Sequence, residues 1–440
     1  MAKPDVIAAI ATGPGRGAIG IVRLSGPDLS STALELIGKA LQPRYATPTY
    51  FLDARGEPLD SGIAIYFPGP RSYTGEDVLE LQGHGGGAVL KGVLRRCLEV
   101  GARLAEPGEF TRRAFLNGKI DLAQAESVAD LIDAGSEAAA RAALRSLNGA
   151  LSVAVYTVSE ELLELRIRLE AGIDFPEEEV DQLQQDTYQA ALAEIAAKAR
   201  DLLSKVEQGA RLREGLRVAI VGAPNVGKST LLNHLAGETL AIVTDVPGTT
   251  RDIITADLTI QGVPVTLLDT AGIRATRDPV EEIGVSRARE AAAKADLVLD
   301  VRDLSKANGA QTSSSLPAGV RTIVVYNKVD LVPKRGVETA NGLCVSAKTG
   351  EGMGELRRSI LASSGWDHAS EEVVFIARER HMLALIRAVQ HIEAASKQTG
   401  PVELVAEDLR LAGAELGKIQ GVLAADDLLG EIFSRFCIGK

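Results

Sequence analysis

The run RVAIVGAPNVGKST, residues 217–230, constrains the fold of this chain more than any other stretch. The β-favouring segment RVAIV leads without a spacer into G-x-x-x-x-G-K-[ST], met here by Gly222, Gly227, Lys228 and Ser229. A strand that runs straight through a glycine turn into a helix belongs in an open α/β sheet. The glycines let backbone N–H groups turn inward, and the helix start adds its positive end, so the turn is built to cradle phosphate. In such a turn Lys228 reaches the β- and γ-phosphates, and the Ser229 hydroxyl holds Mg2+.

Residues 216–360 alternate strand-like runs (RVAIV, VTLLD, ADLVLDV, TIVVYN, LCVSA) with helical ones, the pattern of a doubly wound parallel sheet. VTLLDTAG ends a strand on Asp269, where a Mg2+-linked carboxylate is expected, and leaves Gly272 free to approach the γ-phosphate. TIVVYNKVD ends a strand with Asn327, Lys328 and Asp330. A carboxylate at Asp330 accepts from guanine N1–H and the 2-amino group, a pair that adenine lacks. LCVSAKTG sets Ser346, Ala347 and Lys348 where backbone N–H groups meet guanine O6. Four motifs in this order, each at a strand's carboxyl end, resemble a translation-factor-class GTPase.

One position departs from the Ras-like pattern. Ile273 follows DTAG, where Ras-type enzymes carry a water-orienting glutamine, and isoleucine forms no hydrogen bond to water. Two features offer a replacement. Asn225 in the phosphate loop and the oxygen-rich loop TDVPGTTRD (244–252) together suit a monovalent cation beside the phosphates. Downstream, DPVEEIG offers Glu281 and Glu282 to orient water, although acids also favour a helix's first turn for structural reasons alone.

The remainder of the 440 residues leaves room for about three domains at ~150 residues each. A net charge of −11 excludes broad phosphate attraction, so nucleic-acid binding must be local or shared with a partner. The start, MAKPDVIAAIATGPGRG, is expected to be neither signal peptide nor membrane span. Cys97, Cys344 and Cys437 are odd in number and far apart, without metal spacing, which suits a reducing, cytoplasmic compartment. Residues 1–118, rich in Gly and Pro with short apolar alternations, read as an α+β domain. Ala/Leu/Glu-rich helical texture fills 119–210 and returns over 367–440, flanking the α/β unit at 211–366. The expected organisation is therefore multidomain: an α+β amino-terminal domain and a discontinuous α-helical domain with a P-loop domain inserted in it.

Two smaller motifs remain. His84 and the three glycines after it in LQGHGGG are similar to a lipase oxyanion loop, but the chain has no G-x-S-x-G, so a lipase-type hydrolase is excluded and a Gly-rich turn near a small-molecule site remains. The carboxyl end, FCIGK, puts Cys437 fourth from last, where a prenylated cysteine would stand. Gly439, Lys440 and the lack of a polybasic stretch argue against a lipid anchor. The thiol is then either a nucleophile or redox group, or a small buried hydrophobe. Gly439 is expected to free the tail after an amphipathic helix. A ribosome-assembly GTPase would need an RNA-binding appendage, and neither a KH-like segment nor a basic tail is found.

EPGEFTRRAFLNGKIDLAQAE, the hinge IDFPEEE, GAPNVGKST with TDVPGTTRD, and FCIGK together resemble the tRNA-modification GTPases of the MnmE (TrmE) type, over essentially the whole chain. The G motifs are shared with ribosome-assembly GTPases; the first domain and the tail are not. The resemblance implies that the amino-terminal domain dimerises and binds a 5-formyl-tetrahydrofolate-type one-carbon carrier, with Arg23, Glu80, Lys119 and Lys440 lining its site. It assigns K+ to Asn225, Thr244, the Val246 carbonyl and Thr249, and Mg2+ to Ser229 and Thr250. It extends the GTP site to Val226, Thr230, Asp245, Pro247, Gly248, Thr270 and Ala271. It selects Glu281 as the catalytic glutamate and favours a functional Cys437. It further implies an FAD-dependent MnmG-type partner in a heterotetramer-like complex. With that partner, an aminomethyl or carboxymethylaminomethyl group is added to C5 of the wobble uridine, U34, of certain tRNAs. The chain has no dinucleotide fingerprint of its own, so the flavin is expected from that partner.

Overall fold

A computed structural model describes residues 5–174, 185–236, 254–269, 292–306, 320–333, 342–363, 375–398, 401–422, 426–434 and 436–439. The chain divides into two compact units, 1–129 with 147–188 and 390–440, and 130–146 with 189–389.

The first unit is built on a six-stranded sheet of order β3-β4-β5-β2-β1-β6. Its strands are β1 (Ile7–Ile10), β2 (Ile19–Gly26), β3 (Thr47–Leu52), β4 (Pro58–Phe67), β5 (Asp77–His84) and β6 (Arg103–Leu104). All pairings are antiparallel except β1 with β6. Strand alternation sends Val22, Leu24, Leu79 and Leu81 into a core with Leu36 and Ile37 of α1 (Ser30–Ile37) and Leu90, Val93 and Cys97 of α2 (Gly87–Glu99). The intervening positions, Arg23 on β2 and Glu80 on β5, stand on the other face and face each other in register.

The helical texture after Leu122 resolves into α4 (Leu122–Ile132), α5 (Glu137–Leu147) and α6 (Ala150–Asp174). Gly149, at φ +90°, takes a left-handed conformation that stops α5 from running on into α6. Helix α3 (Glu109–Leu116) precedes them, and α7 (Gln185–Glu214) leads toward the second sheet. After that sheet come α10 (Glu379–Lys397), α11 (Val402–Gln420) and α12 (Asp426–Ser434). In the first unit α11 packs along α6, and Leu122, Ala125, Leu429, Phe433 and Phe436 form a further core cluster.

The second unit holds a sheet of order β12-β11-β10-β7-β9-β8. It comprises β7 (Leu216–Val221), β8 (Ile254–Ile260), β9 (Val263–Asp269), β10 (Leu297–Asp303), β11 (Arg321–Asn327) and β12 (Leu343–Cys344). Only β8 runs antiparallel. One face, with Val218, Ile220 and Leu299, packs with residues of α8 (Lys228–Ala236) and α9 (Met353–Ser363); the other buries Ala219, Val221 and Val298. Burial on both faces explains why these strands read as continuous apolar runs.

Within this unit, three side chains tie the helical segments to the sheet and its connections. Asp130 of α4, 4% exposed, accepts from Arg213 of α7 at 2.8 Å and from Arg378, just before α10, at 2.8 Å. The Ser136 hydroxyl donates to the Gly262 carbonyl at 2.6 Å and accepts from Ala139 N–H at 3.1 Å, which caps α5. Ser146 exchanges hydrogen bonds with the Ile376 backbone at 3.1 and 2.8 Å.

Candidate functional site: the phosphate loop and the amino-terminal sheet face

The phosphate loop leaves β7 at Gly222 (φ +149°), whose missing Cβ would lie 2.2 Å from the Val301 carbonyl of β10. Two more left-handed residues follow, Asn225 (φ 63°) and Gly227 (φ +98°). A Cβ on Gly227 would meet Asn327 Nδ2 at 2.3 Å. Both glycines are thus required by contact as well as by conformation. Lys228 opens α8 with its Nζ donating to the carbonyls of Gly222 (2.8 Å) and Ala223 (2.9 Å). Ser229 and Thr230 stand exposed in the first turn, where their hydroxyls can reach a ligand held by the loop.

The guanine-type motif is joined to this loop by direct bonds. Asn327, 3% exposed, donates from Nδ2 to the Val226 carbonyl at 2.9 Å and accepts at Oδ1 from Ala347 N–H at 3.0 Å. Lys328 adopts φ 67° and donates to the Asn225 carbonyl at 2.9 Å and to Asp303 at 2.7 Å. Burial pushes the Asp303 carboxyl up, but hydrogen bonds from Lys328 and Ser305 outweigh it and hold the group below the usual aspartate range. Asp330 is exposed, and one of its oxygens accepts from the Ser346 hydroxyl at 2.7 Å. Ser346 in turn accepts from Thr349 N–H at 3.1 Å, so its proton is committed to Asp330. Lys348 is exposed beside it. The arrangement brings Asn225, Val226, Asn327, Lys328 and Ala347 together as one bonded group, with Asp330 aimed by Ser346.

Asp269 closes β9 in register with Ile220 and Ile254. The loop Thr244, Asp245, Val246, Pro247, Gly248, Thr249 and Thr250 lies outside the described residues. So do Thr270, Ala271, Gly272, Ile273, Glu281, Glu282 and Lys440.

On the first unit's other, partly covered sheet face, Arg23 Nε and Nη2 donate to Glu80 Oε1 at 3.0 and 2.9 Å, while Gln82 donates to Glu80 Oε2 at 3.1 Å. The Arg23 guanidinium lies 5.6 Å from the Tyr73 ring centre and 5.9 Å from that of Phe110. Tyr73 is held by Thr111 at 2.8 Å. Lys119 is exposed and donates to the Pro70 carbonyl at 3.1 Å. Arg23 and Glu80 are therefore brought together directly, and Lys119 touches the same 70–75 turn that supplies Tyr73. Tyr73, Gln82 and Phe110 carry no sequence signal for this role, because long-range register and a turn place them. His84 bonds Asp60 through Nδ1 at 2.7 Å, and Gly86 and Gly87 simply open α2.

The carboxyl tail differs from expectation. It is docked rather than free. Ile438 forms an antiparallel bridge with Pro107, Gly108 N–H donates to the Cys437 carbonyl at 3.3 Å, and Phe436 is buried. Gly439 (φ +99°) is needed for close approach rather than freedom, since its Cβ would lie 2.4 Å from the Ile10 carbonyl. Cys437 itself is exposed, which removes the reading of it as a buried hydrophobe.

Two family profiles cover this framework: "GTP-binding protein TrmE N-terminus" over residues 6–119 and "MnmE helical domain" over 122–437. The chain belongs to the MnmE family. It is 53% identical over 441 residues to the tRNA modification GTPase MnmE of Thiobacillus denitrificans, covering 100% of this chain and 98% of that one. It is 54% identical over 446 residues to the protein of the same name from Azoarcus sp., covering 99% and 98%. For Nitrosospira multiformis the identity is 52% over 452 residues, covering 100% of both. Among solved structures, the chain is similar to the G domain of the T. maritima FeoB iron transporter at 26% identity, covering 34% of this chain and 98% of that one with a TM-score of 0.26. That score is too low to bear on the fold, which rests on the P-loop sheet described above. The expected fold class, an amino-terminal α+β domain with a helical domain and a P-loop GTPase portion, is the MnmE one. Among the described residues no helix is long and apolar enough to cross a membrane.

Proposed function

We propose that this chain binds GTP at the carboxyl ends of β7, β9, β11 and β12 and hydrolyses it to GDP and phosphate in the service of tRNA modification. The observation that carries this reading is the bonded group of Asn225, Val226, Asn327, Lys328 and Ala347, with Asp330 oriented by Ser346. It couples a phosphate cradle to a carboxylate suited to guanine, which is what a G-specific hydrolase requires. Membership of the MnmE family supports it independently. Domain bounds of 1–118, 119–210, 211–366 and 367–440 belong to the same reading.

In finer detail, Ser229 and Thr250 hold Mg2+, and Asn225, Thr244, Val246 and Thr249 hold K+. These ions supply positive charge to the phosphates in place of an arginine finger. Glu281 orients water. Arg23, Glu80, Lys119 and Lys440 hold a 5-formyl-tetrahydrofolate-type carrier, with the Glu80 carboxylate accepting from the pterin's N–H edge. The chain works in the cytoplasm as a homodimer. With an FAD-dependent MnmG-type partner it adds an aminomethyl or carboxymethylaminomethyl group to C5 of U34. Exposed Cys437 serves that chemistry rather than hydrolysis.

The decisive test is Asp330→Asn. It exchanges an acceptor for a donor at the base edge, a change worth about 1–3 kcal/mol per lost paired bond. Preference should move from GTP to XTP in competition binding. An Asp330→Asn chain that still prefers GTP overturns the guanine assignment.

A further inference from the structure

Positive charge collects at one place in the first unit without carboxylates to cancel it. Arg23, Arg96, Arg103, Arg112 and Arg113 each meet an Asp or Glu. Three cations around the turn 69–75 do not. The Arg44 guanidinium donates to the Arg71 carbonyl, and Lys119 Nζ donates to the Pro70 carbonyl at 3.1 Å. The Arg71 side chain has no hydrogen-bond or ion-pair partner among the described residues, and all three residues are exposed. A carbonyl fixes a cation's place but leaves its charge intact. The turn's own carboxylates are engaged: Glu76 accepts from Arg113 at 2.9 Å and from Ser25 at 3.0 Å, and Asp77 accepts from the N–H groups of Gly69 and Leu29 at 2.9 and 3.2 Å. In a chain of net charge −11, this is the kind of local patch through which phosphates can be met.

The patch is held in place by the backbone. Arg44 has a left-handed conformation (φ 61°), which a non-glycine residue seldom adopts. Its N–H donates to the Tyr66 carbonyl at 2.7 Å, and Pro43 bridges Tyr66. Two aromatic rings stand among the cations. Tyr45, next to Arg44, is 59% exposed, and Tyr73, two residues after Arg71, is 38% exposed. Cations interleaved with exposed rings suit a strand whose bases are unstacked, with phosphates on the arginines and base faces on the rings. An acidic peptide would answer the charges but not the rings.

We infer that Arg44, Tyr45 and Arg71, at the turn 69–75, are a docking site for a single-stranded segment of RNA, the anticodon loop of tRNA. Lys119 borders both this patch and the turn that supplies Tyr73 to Arg23, so a loop seated here lies beside the place proposed for the one-carbon carrier. The inference rests on the proposed function only for the choice of tRNA.

The test is fluorescence anisotropy of a labelled anticodon stem–loop with the full chain over a range of salt, without nucleotide or partner. Arg44→Ala with Arg71→Ala should weaken binding about tenfold and flatten the slope of log affinity against log salt by about 1.4, since each phosphate contact to a single strand contributes about 0.7. Arg71→Ala alone, which removes no contact within the chain, should flatten it by about 0.7. Tyr45→Ala should weaken binding severalfold at an unchanged slope, because stacking releases no counterions. GTP hydrolysis should be the same in every variant. The paired stem without its loop should bind the unaltered chain more weakly than the stem–loop. Unchanged affinity and slope in the arginine variants overturn the site, as does a failure of the unaltered chain to bind the stem–loop at low salt. Equal binding of stem and stem–loop overturns the single-stranded assignment, and polyglutamate competing as strongly as the loop overturns RNA in favour of an acidic partner. No modification reaction is read, so failure here leaves the proposed function standing, and a failed Asp330→Asn test leaves this site standing.

Discussion

The first unit's sheet hides one face beneath α1 and α2, while its other face is only partly covered: Phe110 of α3 buries Ile7 and Ala9, and Arg23, Glu80 and Gln82 remain partly exposed. The second unit's sheet is covered on both faces. This difference decides where each can place chemistry. With one face only partly covered, mid-strand residues can pair across neighbouring strands, as Arg23 and Glu80 do in register. With both faces buried, only the strand ends remain, and the candidate groups crowd there: Gly222 after β7, Asn327 ending β11, Ser346 after β12. The comparison can be broken from either side.

The largest effect should come from Asp130→Ala. Removing one member of a buried ionic cluster costs about 3–5 kcal/mol, because the remaining charges lose their partner. Denaturant unfolding followed with probes in each unit should show the second unit destabilised by that amount. An unchanged midpoint would show that Arg213 and Arg378 find other acceptors without loss.

Gly227→Ala comes next. Its Cβ would drive into Asn327 Nδ2 from a left-handed backbone, so the strand-end group must part. GTP affinity, read by fluorescent-nucleotide titration, should fall roughly a hundredfold, or about 2.7 kcal/mol. Folate binding should stay as it was.

On the first unit's partly covered face, Glu80→Ala is the mirror experiment. It removes one charged acceptor from a partly solvated pair, so 5-formyl-tetrahydrofolate affinity should drop by about 1–3 kcal/mol while GTP hydrolysis is untouched. Unchanged affinity would detach the one-carbon carrier from this sheet.

The smallest effect is one of pH. Burial raises the Glu109 carboxyl, but Arg103, the Glu106 N–H and Arg113 outweigh it and hold the group below the usual glutamate range. A depressed carboxyl stabilises the fold above its unfolded pKa, near about 4.3, and loses that contribution as pH falls through the folded value. The first unit should therefore weaken below about pH 4, and Glu109→Gln should flatten that slope in acid titrations monitored by circular dichroism.

The parts of this molecule that announced themselves in sequence are those where local conformation and chemistry coincide. The phosphate loop is one, since a strand, left-handed glycines and a helix start must follow one another within a dozen or so residues. The guanine motif is another, because Asn327, Lys328 and Asp330 are neighbours in the chain. What stayed hidden depends on distance along the chain. Arg23 reads as a surface charge until register sets it against Glu80, and no local pattern brings Tyr73 beneath it. The tail was misread for the same reason: Gly439 looks like a source of flexibility until Ile10 is found against it. Likewise the division into units passes through α4, α5, α7 and α10, which helical periodicity presents as whole.

Asp130 has a consequence for how such a chain can change over time. Arg213 is the last stop before the strand that enters the nucleotide sheet, and Arg378 the first after the chain has left it; both meet one carboxylate. The long excursion between them thus begins and ends at a single fastened point. For a loop closed in this way, doubling its length costs only about 0.6 kcal/mol. The helices on either side are then nearly indifferent to what the excursion contains. A catalytic cassette could be enlarged, exchanged or trimmed there without redesign of the frame that carries it.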